Sequence, residues 1–539
     1  MPDAGYPFSS LQTLDDGSLG GNAAVFGALQ RQACEVRPGN AGEAAFRVQL
    51  AGHYAWMNHP GVHGSLELER AVSRLGFALA DIHPNGLMRG AGEVVHVLTQ
   101  ALEVGGHTRL ARRWIEVDRR QSSVVLTAQG WHAPPRSLLQ AAAKNGGSVI
   151  DLGARARSLV QRGLRLRQRL AQAQVVILHT HPFDVVPLIA LGGWTDRPPV
   201  VFMNHADHAF WLGASCADLV VNFRRTGAAL AEQRRGVHVD RLRILPLPID
   251  RAALGVDRRS ARATLGIPDD SVVVLTVASE YKLRPADGSD YLAEMTSVVE
   301  AIPRLRVLVA GPRPVAAWAE VERSTGGRLR ALGLRSDLPL LHTAADAYVD
   351  SFPASSLTGM LEAGAAGLPI LRRTPTKGLE ILHGDSPGLD EVALGHSSLD
   401  GLAALLRGIV DDEAGRLETG RRTAESILEV SSGEAWIAAL DDLYTAAASV
   451  SRNTGSESTP AGFHDGALDR RLASLETSGT GLRAALAAHA RYSPVRMRPR
   501  VLLEVGSPPA SLVAAVPDWV RTRLRPLMSS STLRGIVGR

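Results

Sequence analysis

The chain has 539 residues, 45% hydrophobic and 21% charged, the balance of soluble globular domains, and its length suits three or four of them at roughly 150 residues each. No apolar run nears the roughly 20 residues that span a bilayer, the opening residues lack the basic start and apolar stretch of a secretory signal, and two cysteines, Cys34 and Cys216, exclude a disulfide framework and a cysteine metal cluster. A cytoplasmic protein is therefore expected. The net charge of +5 is unevenly spread: residues 470–539 hold twelve arginines, no lysine and three acids, a charge of +9, so residues 1–469 carry −4.

Residues 1–92 read as a partly helical extension, with "GSLELERAVSRLGFALADI" (64–82) at helical spacing and Ser65 placed to cap it. From 93 to 245 apolar strands alternate with helices. "EVVHVLTQAL" is a strand, "GGHTRLARRWIEV" a helix, "SSVVLTAQ" a strand, "PPRSLLQAAAKNG" a helix, "SVIDLG" a short strand and "ARSLVQRGLRLRQRLAQ" a basic amphipathic helix. "VVILHTH", "PVVFMNH" and "ADLVVNF" come next as short buried strands. After a Pro-rich crossing, "RILPLPIDRAALG", the pattern restarts over 246–449: "SVVVLTVAS", "LRVLVAG", "AYVDSFP" and "LPILRRT" are strands. The helices of this unit are "GSDYLAEMTSVVEAI", "VAAWAEVERSTGGRLRALG", "SLTGMLEAGAAG", one or two over "LDGLAALLRGIVDDEAGRLETGRRTAESIL", and a closing helix with Trp436, Leu440, Leu443 and Tyr444 on one face. Such alternation predicts an α/β fold of two tandem doubly wound parallel sheets. A polar stretch, 450–469, reads as a linker, and the basic tail, 470–539, carries short helices at "GLRAALAAHARY" and "VPDWVRTRLRPLM".

Ligands of open parallel sheets bind beyond the carboxyl ends of the strands, so polar residues placed just after apolar runs are the candidates. His179, His181 and Asp184 come after one run, and His205, Asp207 and His208 after another. Such His-rich strand ends suit either a metal-dependent hydrolase or a wall facing a sugar or acceptor. The metal reading needs further ligands from later strands of a closed barrel, and the chain instead restarts as a second open sheet. No metal site is expected. Gly105 and Gly106, between a strand and a helix, allow backbone N–H groups to approach an anion. The absence of a full G-x-G-x-x-G fingerprint argues against a dinucleotide cofactor. In "ASEYKLRP", Lys282 and Arg284 are cations suited to a diphosphate. In "FPASSLTGMLEAGAAG", Ser356 and Thr358 sit where a helix starts, and Glu362 lies further along as a partner for ribose hydroxyls.

Together these stretches resemble the GT-B glycosyltransferases over roughly residues 93–449. That resemblance implies two Rossmann-like domains facing a cleft, an acceptor domain followed by a nucleotide-sugar donor domain with a closing helix. "PVVFMNHADHAFWLG" is similar to the glycogen-synthase-like segment in which a histidine, here His205, faces the donor sugar. Many retaining members carry two glutamates eight apart, and Ala354 stands where the first would be. The nine-residue interval from Pro353 to Glu362, with Thr358 between, is closer to the inverting O-GlcNAc and bacterial N-glycosyltransferases.

The resemblance implies metal-independent transfer of a sugar from a nucleotide diphosphate sugar, which is substrate, with no cofactor. His205 contacts the sugar or serves as base, with Asp207, His208 and Asp184 as alternative bases. Gly105, Gly106, Lys282, Arg284, Ser356, Thr358 and Glu362 are the donor-binding candidates. The acceptor is a glycan, lipid-linked, protein or small-molecule hydroxyl. The arginine-rich tail suits peripheral contact with an anionic membrane, and no nucleic-acid partner is expected. The alternatives are a nucleotide-sugar epimerase of the same fold, a metal-dependent hydrolase and a non-catalytic scaffold.

Overall fold

The computed structural model describes residues 8–37, 39–77, 92–103, 106–156, 158–249, 257–286, 288–453, 455, 460–476, 481–506 and 515–524. Two compact units emerge: Met1–Asn222 with Gly227–Ile244 and Leu440–Arg539, and Phe223–Thr226 with Leu245–Ala439.

The first unit holds seven parallel strands: β1 (Glu93–Leu98), β2 (Ser122–Leu126), β3 (Val149–Asp151), β4 (Ala173–His179), β5 (Val200–Met203), β6 (Leu219–Asn222) and β7 (Leu242–Ile244). Their order is 3-2-1-4-5-6-7. The central strands are apolar on both faces, as parallel strands covered by helices must be. In register, Leu98 of β1 lies opposite Leu126 and His179. Winding reverses between β1 and β4, which opens a crevice outside their carboxyl ends.

Described residues from both the early extension and the tail belong to this unit's core. Helices Leu19–Cys34, Ala41–Met57 and Leu66–Phe77 bury Phe26, Phe46, Leu50, Tyr54 and Val72 in one cluster with Leu166, Leu188 and Ile189. Ser65 Oγ accepts the N–H of Leu68, so the expected cap forms. Helix Leu66–Phe77 meets helix Val186–Leu191 at two glycines. A Cβ on Gly76 would lie 2.4 Å from the Gly192 carbonyl, and one on Gly192 2.2 Å from that of Ser73.

Residues 450–469, read as a linker, are bonded into the unit where described: Asn453 donates to Asp218 and to the carbonyls of Ala214 and Ala217. In the tail, Leu482, Leu486, Tyr492 and Val501 join the same core. Asp518 accepts from Arg162 and Tyr492 and lies 3.1 Å from Arg491. Arg521 stacks on Trp131. Arg491 and Arg521 of the tail thus serve internal packing. Within "VPDWVRTRLRPLM" the helix spans Asp518–Leu524, and 525–528 lie outside the described residues, as do 78–82 of the early helix.

The second unit has six parallel strands: β8 (Val272–Val277), β9 (Leu305–Ala310), β10 (Leu329–Ala331), β11 (Ala347–Val349), β12 (Ile370–Arg373) and β13 (Leu394–His396), in the order 10-9-8-11-12-13. One core face holds Met295, Val298, Val307 and Leu406, and the other Leu341, Met360, Leu361 and Ile427. The single helix expected over 315–333 is instead helix Ala317–Ser324 followed by β10. Gly326 and Gly327 adopt positive φ of 62° and 74° and end the helix before the edge strand. The stretch 399–428 forms two helices that meet at Asp412, whose carboxylate caps the second.

Candidate functional site

In the second unit the reversal falls between β8 and β11, and the phosphate-binding candidates collect there. After β8 a short turn, Glu280–Leu283, brings Lys282 Nζ to the Ser355 carbonyl at 2.6 Å, and Arg284 comes next, exposed. After β11, buried Asp350 accepts the N–H groups of Ser351 and Ser356 at 2.8 and 2.9 Å. Burial raises the Asp350 carboxyl above its usual range, against the pull of these bonds and of Lys282.

Ser356 precedes helix Leu357–Ala365 without capping it through its side chain. First-turn N–H groups, including that of Thr358, have no partner within a helix, so they can receive an oxyanion. Gly359 lets this helix start close to the sheet: a Cβ there would meet Tyr348 Oη at 2.5 Å and the Val277 carbonyl at 2.9 Å. Glu362 is half-buried further along the helix. Ala354, in place of a first glutamate, is buried.

Sequence reasoning missed two cations at the end of β12. Arg373 bonds both carboxylate oxygens of Glu294, at 2.8 and 3.1 Å, and stacks over Phe352. Arg372 reaches Asp390 at 3.0 Å. Burial, with Arg373, Arg224 and Arg372 nearby, lowers His383 to about 4. The rule that polar residues after apolar runs are candidates applies to "LPILRRT" and would have found both arginines.

In the first unit the β1/β4 reversal is lined by imidazoles. His96 lies within β1, and its Nδ1 is 3.0 Å from Nε2 of His179, the last residue of β4. His179 Nδ1 is 3.2 Å from Nε2 of His205, beyond β5. The ring of His107 stacks on His205 with centroids 3.9 Å apart, and His181 packs edge-on to His107 at 5.5 Å. Burial lowers His107 to about 4 and His96 and His181 to about 3, and holds His179 and His205 well below 6.5. Neutral imidazoles each donate through one nitrogen and accept through the other, so the head-to-tail contacts couple the tautomers of His96, His179 and His205.

The other acid–base candidates do not join it. Asp184 is buried and accepts from Thr99, Thr127 and the N–H of Val186, tying together the ends of β1 and β2 and the start of the next helix. Burial raises its carboxyl. Asp207 and His208 face each other at 3.4 Å. Gly106 begins helix Gly106–Val117, exposed, and Gly105 lies outside the described residues.

No protein-family model matches the sequence, and no curated protein matches it. Among solved structures, a glycosyltransferase from Rickettsia africae aligns over 67% of this chain and 100% of its own, with 9% identity and a TM-score of 0.52. Anabaena HepE in complex with UDP aligns over 66% and 99%, with 14% identity and a TM-score of 0.49. A variant of the Thermobaculum terrenum O-GlcNAc transferase aligns over 83% and 85%, with 16% identity and a TM-score of 0.47. The first of these carries the fold assignment, and with two tandem Rossmann-like units, each reversing beside its first strand, this chain has the GT-B glycosyltransferase fold.

Proposed function

We propose that the protein transfers a sugar from a nucleotide diphosphate sugar to an acceptor hydroxyl, without a metal at the diphosphate. The observation that carries this reading is the helix start at residues 356–359, seated against the β8/β11 reversal with Lys282 beside it. The acceptor oxygen attacks the anomeric carbon as its bond to the diphosphate breaks, and the nucleoside diphosphate leaves. Charge grows on the departing phosphate, where the helix N–H groups, Lys282 and Arg284 stabilise it. Glu362 accepts hydrogen bonds from the ribose. His205, kept neutral by burial, contacts the sugar and, in the tautomer that leaves Nδ1 unprotonated, takes the acceptor proton, which fits inversion. The acceptor is the hydroxyl of a glycan, a lipid-linked molecule, a protein or a small molecule. The protein would work in the cytoplasm, with exposed tail arginines available to an anionic membrane.

One observation favours a second reading. Ala354 where retaining enzymes carry a glutamate suits a scaffold that binds nucleotide without turnover. A thermal-shift screen against nucleoside diphosphates and their sugars, followed by donor hydrolysis without acceptor, separates the two. Ligand at one hundred times its Kd stabilises the native state by about 2.7 kcal/mol. Binding with hydrolysis that His205→Ala abolishes supports transfer; binding without hydrolysis or transfer supports the scaffold; no nucleotide binding overturns both.

A further inference from the structure

A second group of histidines lies apart from the imidazole chain, in the first unit. His59 and His63 sit in the loop between helices Ala41–Met57 and Leu66–Phe77, and Asp469 lies in helix Ala467–Glu476. All three are buried, with exposures of 2%, 1% and 0%. One ligand atom from each lies within 4.8 Å of the other two. His59 Nε2 is 3.1 Å from Asp469 Oδ1, and the two histidine rings are 4.9 Å apart.

A simple hydrogen-bonded pair explains His59 and Asp469 but not His63. Among the described residues, neither ring nitrogen of His63 has a hydrogen-bond partner, although the side chain is buried. Native proteins rarely leave such groups unsatisfied, and each exception needs a reason. The loop is shaped to bring the rings together. Gly61 takes a positive φ of 75°, and a Cβ there would meet the Phe463 ring at 2.6 Å and the His464 carbonyl at 2.7 Å. Only glycine allows both the turn and this approach of the 463–464 backbone, which donates the His464 N–H to the Gly61 carbonyl.

We propose that His59, His63 and Asp469 bind one divalent transition-metal ion, zinc by ligand type, that clasps two parts of the first unit 410 residues apart in sequence. Two imidazoles and a carboxylate are zinc ligands, with metal–ligand distances of about 2.0–2.2 Å and a fourth position for water. Atoms so close together leave room for a single ion and not for a polyatomic anion. Burial favours the neutral, ligating form of both rings. The positive groups facing the site are Arg234, Arg235 and, when protonated, His208. Arg234 engages the other Asp469 oxygen, Oδ2, at 3.4 Å. Arg235 donates to the carbonyls of Asp207 and Ala209 and stacks on Trp211. None of the three proposed ligands belongs to the imidazole chain around His205.

The test uses untagged full-length protein purified without chelator. Elemental analysis should find about one zinc per chain. Protein stripped by chelator should melt at a lower temperature and regain both one equivalent and its midpoint on addition of zinc chloride alone. His63→Ala and Asp469→Asn should each hold less than a tenth of an equivalent, while His205→Ala keeps the metal. Metal-free wild type that takes up no zinc overturns the proposal, as does full occupancy in His63→Ala. Should the ligand variants not fold, zinc-edge absorption of wild type decides. Two imidazoles among oxygen ligands support the clasp, and a shell of three or more imidazoles places the ion in the chain around His205 and refutes it.

Discussion

Gly359 lies where the proposed phosphate-binding helix starts against the sheet, and its replacement by alanine tests the phosphate seat. A Cβ at 359 would lie 2.5 Å from Tyr348 Oη and 2.9 Å from the Val277 carbonyl, where ordinary contact begins at 3.4 Å. Neither neighbour yields easily. Val277 ends β8, and Tyr348 Oη both donates to its carbonyl and accepts from its N–H. The helix start must therefore lift by about 0.5–1 Å. Overpacking costs about 1–3 kcal/mol, and alanine's better helix propensity returns about 1 kcal/mol, so stability should fall by at most about 2 kcal/mol. Displacement of phosphate-facing N–H groups by about 1 Å acts on function directly, by up to about 10²-fold or about 2.7 kcal/mol. Isothermal titration with whichever nucleoside diphosphate binds wild type should show Kd raised about 10- to 100-fold. Gly408→Ala is the control: it lies in helix Leu399–Asp411 with nothing within 4 Å of its Cβ, and should gain up to about 1 kcal/mol in urea denaturation with binding unchanged. Unaltered nucleotide affinity in Gly359→Ala would remove this helix start from the phosphate site.

Glu362→Ala should weaken donor binding by about 1.5–3 kcal/mol, the worth of charged hydrogen bonds; titration showing equal affinity would exclude it from the ribose. Lys282→Ala should reduce turnover more than it weakens donor binding, because the charge it meets develops in the transition state; steady-state kinetics with full kcat would contradict this. His53 is lowered to about 4 by burial, then by Arg491, and His107 to about 4, His96 and His181 to about 3. Below pH 6.5 the unfolded chain takes up protons that the folded one refuses until pH 3–4, so this stability is complete above about pH 6.5 and is lost as pH falls toward 3–4, by roughly 4 kcal/mol for four histidines between pH 6.5 and 5.5. Denaturation midpoints that stay flat over that interval would show these rings are not buried neutral. Asp518→Ala strands Arg162 and Arg491 and should cost about 3–5 kcal/mol; a loss below 1 kcal/mol in urea would mean the tail does not hold this pair. Since Leu482, Leu486 and Val501 are core residues, vesicle binding by the tail is best tested with charge reversal of exposed Arg496, Arg500 and Arg523 rather than by truncation.

The sequence by itself determined the two winding sheets. Parallel strands covered on both faces are largely apolar, so "EVVHVL", "VVILH" and "VVVLTV" stand out as mostly apolar runs with helices between. It also located the donor-side candidates, because chain order fixes which residues leave the carboxyl end of a strand: Lys282 after β8, and Ser356, Thr358 and Glu362 after β11. The three-residue edge strands β7, β10 and β13 gave no such signal, since they lack the length to show a period. Only the tertiary structure decided the encounters between residues distant in sequence. Asp184, a candidate base by its place in the sequence, also ties together two strand ends through Thr99 and Thr127. His96, read as part of a strand, lies at the root of the imidazole chain. The extension and tail looked separable because each alone shows a weak apolar face, yet Phe46 and Leu486 share one core. Periodicity reports which side of an element is buried, not what buries it, and the partner here came from the far end of the chain.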